Sequence, residues 1–252
     1  MNSNNKKPKI NKSNNIIVGN TINVCFNLNK IKNTKLKIEN NNHKLEKNIN
    51  TIIKPFFEDI EKHLITYIEN ASYVIGCIAW LTNDNILEAL SRKKGVKIIV
   101  NKEEFLNPEM EISKKYFYRS LHEKYNKIPN IFNVKCLCCK KIMTNCPNFN
   151  KIFNDNTECD SKNSAILTCG IVNTLPKMHH KFLIFFNENI QPYGVWTGSY
   201  NLSKTSNFSL ENALFITDKD VVDQYLKEFM AIYPHSENYY WKSGSLFNTD
   251  KK

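Results

Sequence analysis

The part of the chain between residues 178 and 212 holds the residue types that cleavage of a phosphodiester requires. Such a bond has charged non-bridging oxygens and a poor leaving group, so its cleavage needs a nucleophile, hydrogen-bond donors for the transition state and an oriented proton carrier. Imidazole, ammonium, hydroxyl, amide and carboxylate groups together supply all three. The candidates are His179, Lys181, Ser199, Asn201, Glu211 and Asn212.

The first two candidates stand at the start of a predicted strand. Residues 181–186 form a short, mainly apolar run of strand-forming residues, which predicts a buried strand. Side chains alternate along a strand, so His179 and Lys181 point to one side of it. His180 points to the other side, where we expect it to pack or to form a hydrogen bond behind the site.

A second predicted strand returns the remaining donors to the first. Residues 192–197 follow the turn residues 187–189 and complete a hairpin. This hairpin brings the segment Gly198–Asn201 back toward the start of the first strand. Its glycine provides the backbone freedom that a loop approaching a phosphate needs.

At these residues the sequence resembles the phospholipase D superfamily, and within it the short members, many of them nucleases, that carry one H-x-K motif per chain. The resemblance implies that His179 is a nucleophile that forms a covalent phosphohistidine and that Lys181 holds the phosphate. It also implies that Ser199 and Asn201 donate further hydrogen bonds to the phosphate.

The same resemblance assigns roles to the downstream pair. Glu211 matches a family glutamate that hydrogen-bonds the nucleophilic imidazole and fixes its tautomer. A histidine nucleophile must present a neutral nitrogen to phosphorus, so this role is physically reasonable. Asn212 and His180 are expected to support the site from behind, and the implied reaction uses no metal and no cofactor.

One position departs from the family pattern. The pattern usually places an aspartate five residues after the lysine, where this chain has Phe186. We interpret that aspartate as mainly structural, so its replacement bears more on full activity than on the fold.

The surrounding sequence predicts an α/β fold: a phospholipase D-like domain with a mixed sheet flanked by helices on both faces. Residues 52–235 carry the resemblance, with a cysteine-rich insertion at about 136–165. The predicted helices cover residues 55–70, 84–91 and 220–232, and the further strands cover 71–81, 95–100 and 213–217. Within them, Trp80 and Trp196 are predicted to be core residues, and His63 and His122 to be ordinary surface or buried histidines.

Both ends of the chain are predicted to lie outside this domain. Residues 1–51 are a basic Asn/Lys-rich extension and residues 236–252 a C-terminal tail. The net charge is +11, yet residues 1–54 hold eleven lysines against two glutamates, so the remaining chain carries only +2. The absence of a signal peptide or a long apolar run leads us to expect an intracellular, soluble protein.

The cysteines and lysines before the motif allow two interpretations each. Cys136 and Cys139 have zinc-knuckle spacing that Cys146 and Cys159 can complete, and the alternative is free reduced thiols. The lysine-rich segment 112–151 interleaves aromatic residues, which suits a nucleic-acid backbone, and the alternative is an ordinary solvated face.

The leading hypothesis is a metal-independent phosphodiesterase, most plausibly a nuclease, with nucleic acid as substrate. Two displacements at phosphorus need a second proton-transferring group, and single-motif relatives pair two copies so that His179 of each chain meets its twin; we therefore expect a homodimer. One alternative is a phospholipid hydrolase of the cardiolipin type at a membrane surface. The other is a non-catalytic module that binds phosphate or nucleic acid, which Phe186 motivates.

Overall fold

A computed structural model describes residues 51–131, 164–173 and 177–240 of the chain. Residues 1–50 of the predicted basic extension and residues 241–252 of the predicted tail lie outside the described residues. So do the four candidate zinc ligands Cys136, Cys139, Cys146 and Cys159.

The described residues form a mixed sheet of eight strands in the order β1-β7-β6-β5-β2-β3-β4-β8. Only the β2–β3 and β3–β4 pairs are parallel, and the others are antiparallel. The strands are β1 (Ile53–Phe56), β2 (Tyr73–Ile78), β3 (Gly95–Asn101), β4 (Ile166–Cys169), β5 (Lys181–Phe186), β6 (Pro192–Gly198), β7 (Ala213–Ile216) and β8 (Glu237–Asn238).

Helices cover both faces of this sheet, as predicted for the α/β class. The α-helices of the described residues are α1 (Ile60–Asn70), α2 (Asp84–Ser91), α3 (Tyr116–Lys127) and α4 (Lys219–Ile232). Apolar residues of α1, α2 and α3 share one buried cluster with Leu183 and Phe185 of β5. Val222 and Phe229 of α4 share the other cluster with the alternate residues of β5. The central strand is therefore buried on both sides, which explains its nearly continuous apolar sequence.

Local signals explain where two of these helices begin. Asn83 precedes α2 and its side-chain oxygen accepts hydrogen bonds from the backbone N–H groups of Asn85 and Ile86, at 2.9 and 3.2 Å. Asp218 caps α4 in the same way through the N–H of Val221, at 3.0 Å. Both residues are of the type that helix N-termini favour.

The predicted helix over residues 55–70 was too long at its start. Ile53–Phe56 pairs with β7 as the edge strand β1, and α1 begins only at Ile60. Asp59 adopts a left-handed backbone (φ 49°), which separates the two elements. Phe56 is buried in the helix-covered core whereas Phe57 is exposed, an alternation that fits the end of a strand.

One further boundary and one property of the helices follow from the structure. Glu237–Asn238 pairs with β4, so the sheet extends past the boundary predicted at residue 235. Within the described ranges, no helix has the length and apolar character that crossing a bilayer demands.

Candidate active site

Strand β5 emerges from the buried sheet at the predicted nucleophile. His179 is exposed to solvent and Lys181, two residues later, is half-buried. The Lys181 Nζ atom lies 3.3 Å from Nδ1 and 3.4 Å from Nε2 of His179, and it donates a hydrogen bond to the His179 carbonyl at 3.1 Å. The two side chains therefore share one side of the strand, as alternation predicted.

The surroundings of His179 favour its neutral form. Partial burial lowers the pKa of His179 below its usual value, and the positive charges of Lys181 and Lys177 lower it further, together with His180. Burial also lowers the pKa of Lys181, an effect that Glu211 opposes. A neutral imidazole beside an ammonium is the pair that attack on a bound anion requires.

The loop after β6 lies against the start of β7 because residue 198 is a glycine. A Cβ atom at Gly198 would lie 2.2 Å from the Asn212 carbonyl oxygen, which no side chain tolerates. This close approach lets Ser199 and Asn212 exchange hydrogen bonds. The Ser199 N–H donates to the Asn212 carbonyl at 3.0 Å, and the Asn212 N–H donates to Ser199 Oγ at the same distance.

Glu211 makes a different contact from the one that the family resemblance implies. Its carboxylate accepts a short hydrogen bond from Ser199 Oγ. Within the described part of the chain, no hydrogen bond joins Glu211 to His179, and Glu211 instead acts on Lys181 through its charge. The structure thus places His179 next to Lys181 and Ser199 next to Glu211. The charge of Glu211, which acts on Lys181, links the two pairs.

Asn201 stands in the same loop. Its side-chain oxygen is buried and accepts no hydrogen bond from the residues that the structure describes. This unpaired atom is an acceptor and cannot bind a phosphate oxygen, so the predicted role of Asn201 as a phosphate donor requires its amide nitrogen.

A network centred on Glu61 of α1 holds this loop, and no sequence pattern predicted it. The Tyr200 hydroxyl, between Ser199 and Asn201 in the chain, donates to Asn207 Oδ1 at 2.5 Å. Asn207 in turn donates to Glu61 through its amide nitrogen. The Glu61 carboxylate also accepts hydrogen bonds from Asn83 and Asn85 at the start of α2 (2.8 and 2.6 Å).

The charge state of Glu61 follows from these contacts. Burial alone would raise the pKa of Glu61, but the hydrogen bonds from Asn85, Asn207 and Asn83 outweigh it. With the nearby charge of Lys204, they bring the pKa below its usual value. Glu61 is therefore ionised when the loop is in place, and the carboxylate ties three asparagine side chains together.

The opposite side of β5 carries supporting groups. His180 Nε2 lies 3.1 Å from Glu228 Oε1 on α4, in agreement with the predicted hydrogen bond behind the site. Phe186 is fully buried within the cluster that α4 covers. The side chain at position 186 therefore serves the core of this protein.

Trp80 corrects a prediction and lies beside His179, a position that the sequence did not reveal. Trp196 is buried as predicted, but Trp80 is 41% exposed. Its ring centroid lies 6.0 Å from that of His179, edge to face. Its indole N–H donates to Glu103 Oε1 at 2.9 Å. Because Trp80 lies within an apolar run that ends at Leu81, the sequence predicted a core residue and not an exposed one beside His179.

The histidines that were set aside have structural contacts. His63 packs against Phe56, with ring centroids 4.7 Å apart. A ring nitrogen of His122 lies 3.0 Å from the carbonyl oxygen of Phe105. Across the described ranges, no group of three or more His, Cys, Asp or Glu side chains is placed to hold a metal ion.

Among the described residues of the lysine-rich segment, which end at residue 131, only some are open to a ligand. Lys124 pairs with Asp84 at 2.6 Å, and Tyr125 is buried with its hydroxyl on the Leu81 carbonyl. The start of α3 remains exposed, with four basic or aromatic side chains in a row and a fifth one turn on. They are Lys114, Lys115, Tyr116, Phe117 and Arg119, of which Lys114 pairs with the exposed Glu111 at 2.5 Å. The other lysines of the segment, from Lys135 to Lys151, lie outside the described residues.

Comparison with known proteins points to the same family as the motif residues do. The sequence profile of a family described as "Cardiolipin synthase, PLD-like domain" matches residues 64–233. An uncharacterized protein of Acanthamoeba polyphaga mimivirus is 63% identical over 211 residues, which cover 84% of this chain and 75% of that protein.

Two solved structures are similar at a lower level. NucT from Helicobacter pylori has a TM-score of 0.48 and 16% identity, covering 75% of this chain and 99% of NucT. Nuc from Salmonella typhimurium, a phospholipase D family member, has a TM-score of 0.46 and 16% identity, covering 77% of this chain and all of Nuc, 100%. Both scores lie below 0.5, so these structures add nothing to the family match.

Replacing Lys181 by methionine should raise the pKa of His179. The ammonium charge disfavours a protonated imidazole, and its removal leaves burial as the main remaining cause of the lowered pKa. The pKa is measured by following the imidazole resonances against pH by NMR, with His179→Gln to assign the signal. Lys204→Met, which removes an exposed lysine that does not act on His179, is the control. An unchanged or lower His179 pKa in Lys181→Met would contradict this electrostatic account.

Replacing Glu61 by glutamine should destabilise the protein by roughly 1 kcal/mol at neutral pH, because one acceptor oxygen becomes a donor facing asparagine amides. A lowered carboxyl pKa contributes stability that is present above the unfolded-state pKa and is lost as pH falls through the folded-state pKa. The difference between the two proteins should therefore shrink as pH falls below 4.5, the ordinary value for this group. Urea unfolding at pH 7 and pH 4 measures it, with the exposed Glu58→Gln as control. If the two proteins differed equally in their free energy of unfolding at both pH values, the ionised Glu61 carboxylate would not be the source of the stabilisation.

Proposed function

The chain belongs to the phospholipase D-like family of phosphodiesterases, and we propose that it is a metal-independent nuclease acting through a phosphohistidine. The observation that carries this proposal is the exposed His179 with its lowered pKa and the Lys181 ammonium beside it. A nucleophile that is both neutral and accessible, next to a cation, is suited to an anionic diester. Ser199 and Asn201 lie on the adjoining loop as further donors.

The proposed reaction proceeds in two displacements. First, the free ring nitrogen of His179 attacks phosphorus, an N–P bond forms and the P–O bond to one nucleoside breaks, while the leaving oxygen takes a proton from a second group. Water then attacks the phosphohistidine and gives a proton to that group. The N–P bond breaks and His179 returns to its starting form. Lys181 offsets the phosphate charge in both steps.

The second group is proposed to come from a second copy of the chain. One chain supplies a single H-x-K sequence at the start of a strand, because the other H-x-K sequence, at residues 122–124, lies in α3. A two-fold axis beside the exposed His179 would bring two imidazoles to one phosphate. An apolar surface flanks this position, because Phe208 and Leu210 are almost fully exposed in the loop just before Glu211. Exposed apolar side chains of this size are typical of surfaces that a partner covers.

Nucleic acid is favoured as substrate by the exposed start of α3. Lys114 and Lys115 precede two exposed aromatic residues there, and Arg119 follows one turn later. Cations attract the phosphate backbone, and aromatic faces stack on bases without regard to sequence.

A phospholipid substrate is the second candidate because the matched family is described by the name of cardiolipin synthase. Exposed Phe208 and Leu210 also offer apolar contact to acyl chains. Vesicles containing cardiolipin, assayed beside the nucleic acids, separate the two substrates.

The wild-type protein is expected to cleave DNA or RNA in EDTA, and His179→Ala should lower the rate by at least ~1,000-fold because it removes the atom that bonds to phosphorus. Gel analysis of plasmid, single-stranded DNA and RNA measures cleavage, and acid-quenched phosphoprotein reports the intermediate. His63→Ala, a change of the same type far from the motif in sequence, is the control. Equal cleavage by His179→Ala and the wild type would contradict the phosphohistidine mechanism. Turnover of the cardiolipin vesicles without cleavage of any nucleic acid would indicate a phospholipid substrate instead.

Mixing subunits tests the shared site. If each active site needs two copies of His179, an equal mixture of wild-type and His179→Ala chains, refolded together, should retain about a quarter of the wild-type activity per total chain, whereas independent chains would retain about half. An equal mixture with Phe57→Ala, an exposed aromatic outside the site, should retain full activity. A linear response to the wild-type fraction would show that one chain suffices.

A further inference from the structure

We infer that Trp80 forms a stacking subsite for the nucleobase next to the scissile phosphate. This inference rests on the proposed nuclease function and adds to it a specific binding position. Its basis is the position, exposure and anchoring of one indole ring, which the family motif does not include.

The position is set by the ring contact with His179. The two ring centroids are 6.0 Å apart and the planes are nearly perpendicular, at 88°. A phosphate attacked by His179 is therefore one sugar away from the indole. That is the separation between a phosphate and the base of its own nucleotide, so a base can reach Trp80 while its phosphate stays at His179.

The indole offers apolar surface to that base. Its single polar atom, Nε1, is already bonded to Glu103 at 2.9 Å. The exposed part of the ring thus has no polar group for water to satisfy, although Trp80 is 41% exposed. Stacking of another ring on an exposed aromatic ring of this kind is favourable.

The ring is also held in place by the elements that hold His179. Asn101, which is buried, donates to Glu103 Oε1 at 2.7 Å and accepts the N–H of Met178 at 3.1 Å. One amide therefore fixes both the carboxylate that anchors Trp80 and the backbone just before His179. An aromatic platform that is fixed in this way loses little conformational entropy when a base binds.

Contacts also connect this subsite to the exposed start of α3. Phe105 follows Glu103 by two residues and stacks on Tyr118, with ring centroids 4.6 Å apart. Exposed Phe117 contacts the same tyrosine at 5.2 Å. A single strand that leaves His179 across Trp80 is thereby directed toward the basic and aromatic residues at the start of α3.

The experiment compares two oligonucleotides with the same backbone: single-stranded DNA, and a chain of abasic tetrahydrofuran residues. The ratio of their KM values measures what the bases contribute. In the wild type, the abasic chain should have the higher KM. Trp80→Ala should raise KM for single-stranded DNA by about 5- to 100-fold, the range that one stacked base provides, so that the ratio falls toward one.

Two matched variants distinguish stacking from other roles. Trp80→Phe keeps an aromatic face and should preserve most of the ratio, whereas Trp80→Leu keeps apolar area without an aromatic face and should lose it. Phe57→Ala, the exposed aromatic control, should not change the ratio. A retained ratio in Trp80→Leu would mean simple apolar contact, and equal losses on both oligonucleotides in Trp80→Ala would mean that the ring only supports His179; either result overturns the inference.

A failure of the nuclease proposal can be distinguished from a failure of the stacking subsite. If the wild type cleaves neither oligonucleotide, that proposal fails by itself. Fluorescence anisotropy with the same two labelled oligonucleotides then tests the subsite, and equal binding of both by the wild type would overturn it.

Discussion

The structure depends on the position of β5 between two antiparallel neighbours. β2 pairs with one side of this strand and β6 with the other, and every residue from Phe182 to Phe186 is buried. The strand therefore cannot shift without breaking two ladders and moving a buried face into water. Lys181 is the first residue of β5. His179 lies two residues before it, so the same backbone alignment sets its position.

This arrangement positions His179, the proposed nucleophile, through its backbone. The Ala79 N–H donates to the His180 carbonyl at 2.9 Å, and the Met178 N–H donates to Asn101 at 3.1 Å, so the main chain on both sides of His179 is fixed. The imidazole itself remains exposed to solvent. A reactive group on a rigid strand end combines accurate placement with access, which loops alone provide less well.

The donor loop is fixed by a separate set of contacts. The Leu202 carbonyl accepts hydrogen bonds from the N–H groups of Thr82 and Asn83 at 2.8 and 2.9 Å. Glu61 fastens the same loop through Asn207. The loop that presents Ser199 and Asn201 is therefore attached to α1 and to the start of α2, and not only to the hairpin that carries it. Because one carboxylate joins these elements, the donor loop and the helices behave as one unit.

The elements that could be predicted from the sequence are those with local signals. The apolar run of β5 and the alternation of His179, His180 and Lys181 depend on neighbouring residues, and the structure agrees with both. β1 was missed because an edge strand next to a helix has only four residues, and only its last one is buried. Its pairing with β7 joins residues that are far apart in the chain.

Within the site, long-range partners were the part that could not be predicted. Glu61 lies far from Asn207 in sequence, and no spacing rule links a helix carboxylate to a loop amide. Trp80 was assigned to the core because it lies within an apolar run, yet the ring is exposed where Glu103 accepts its N–H. The contact of Glu211 with Ser199 likewise depends on how closely two strands approach at Gly198.

The replacement of the family aspartate by Phe186 can be judged from distance and burial. Five residues of extended strand separate Phe186 from Lys181, roughly 16 Å at the usual rise per residue, so a carboxylate there could not touch the same phosphate. The side chain lies in the cluster beneath α4, opposite Tyr73 of β2. A charge at that depth would need a buried partner, whereas a phenyl ring adds apolar contact. The substitution therefore changes how the core is stabilised, and it leaves the groups around His179 as they are; it gives no reason to expect a protein that binds phosphate without cleaving it.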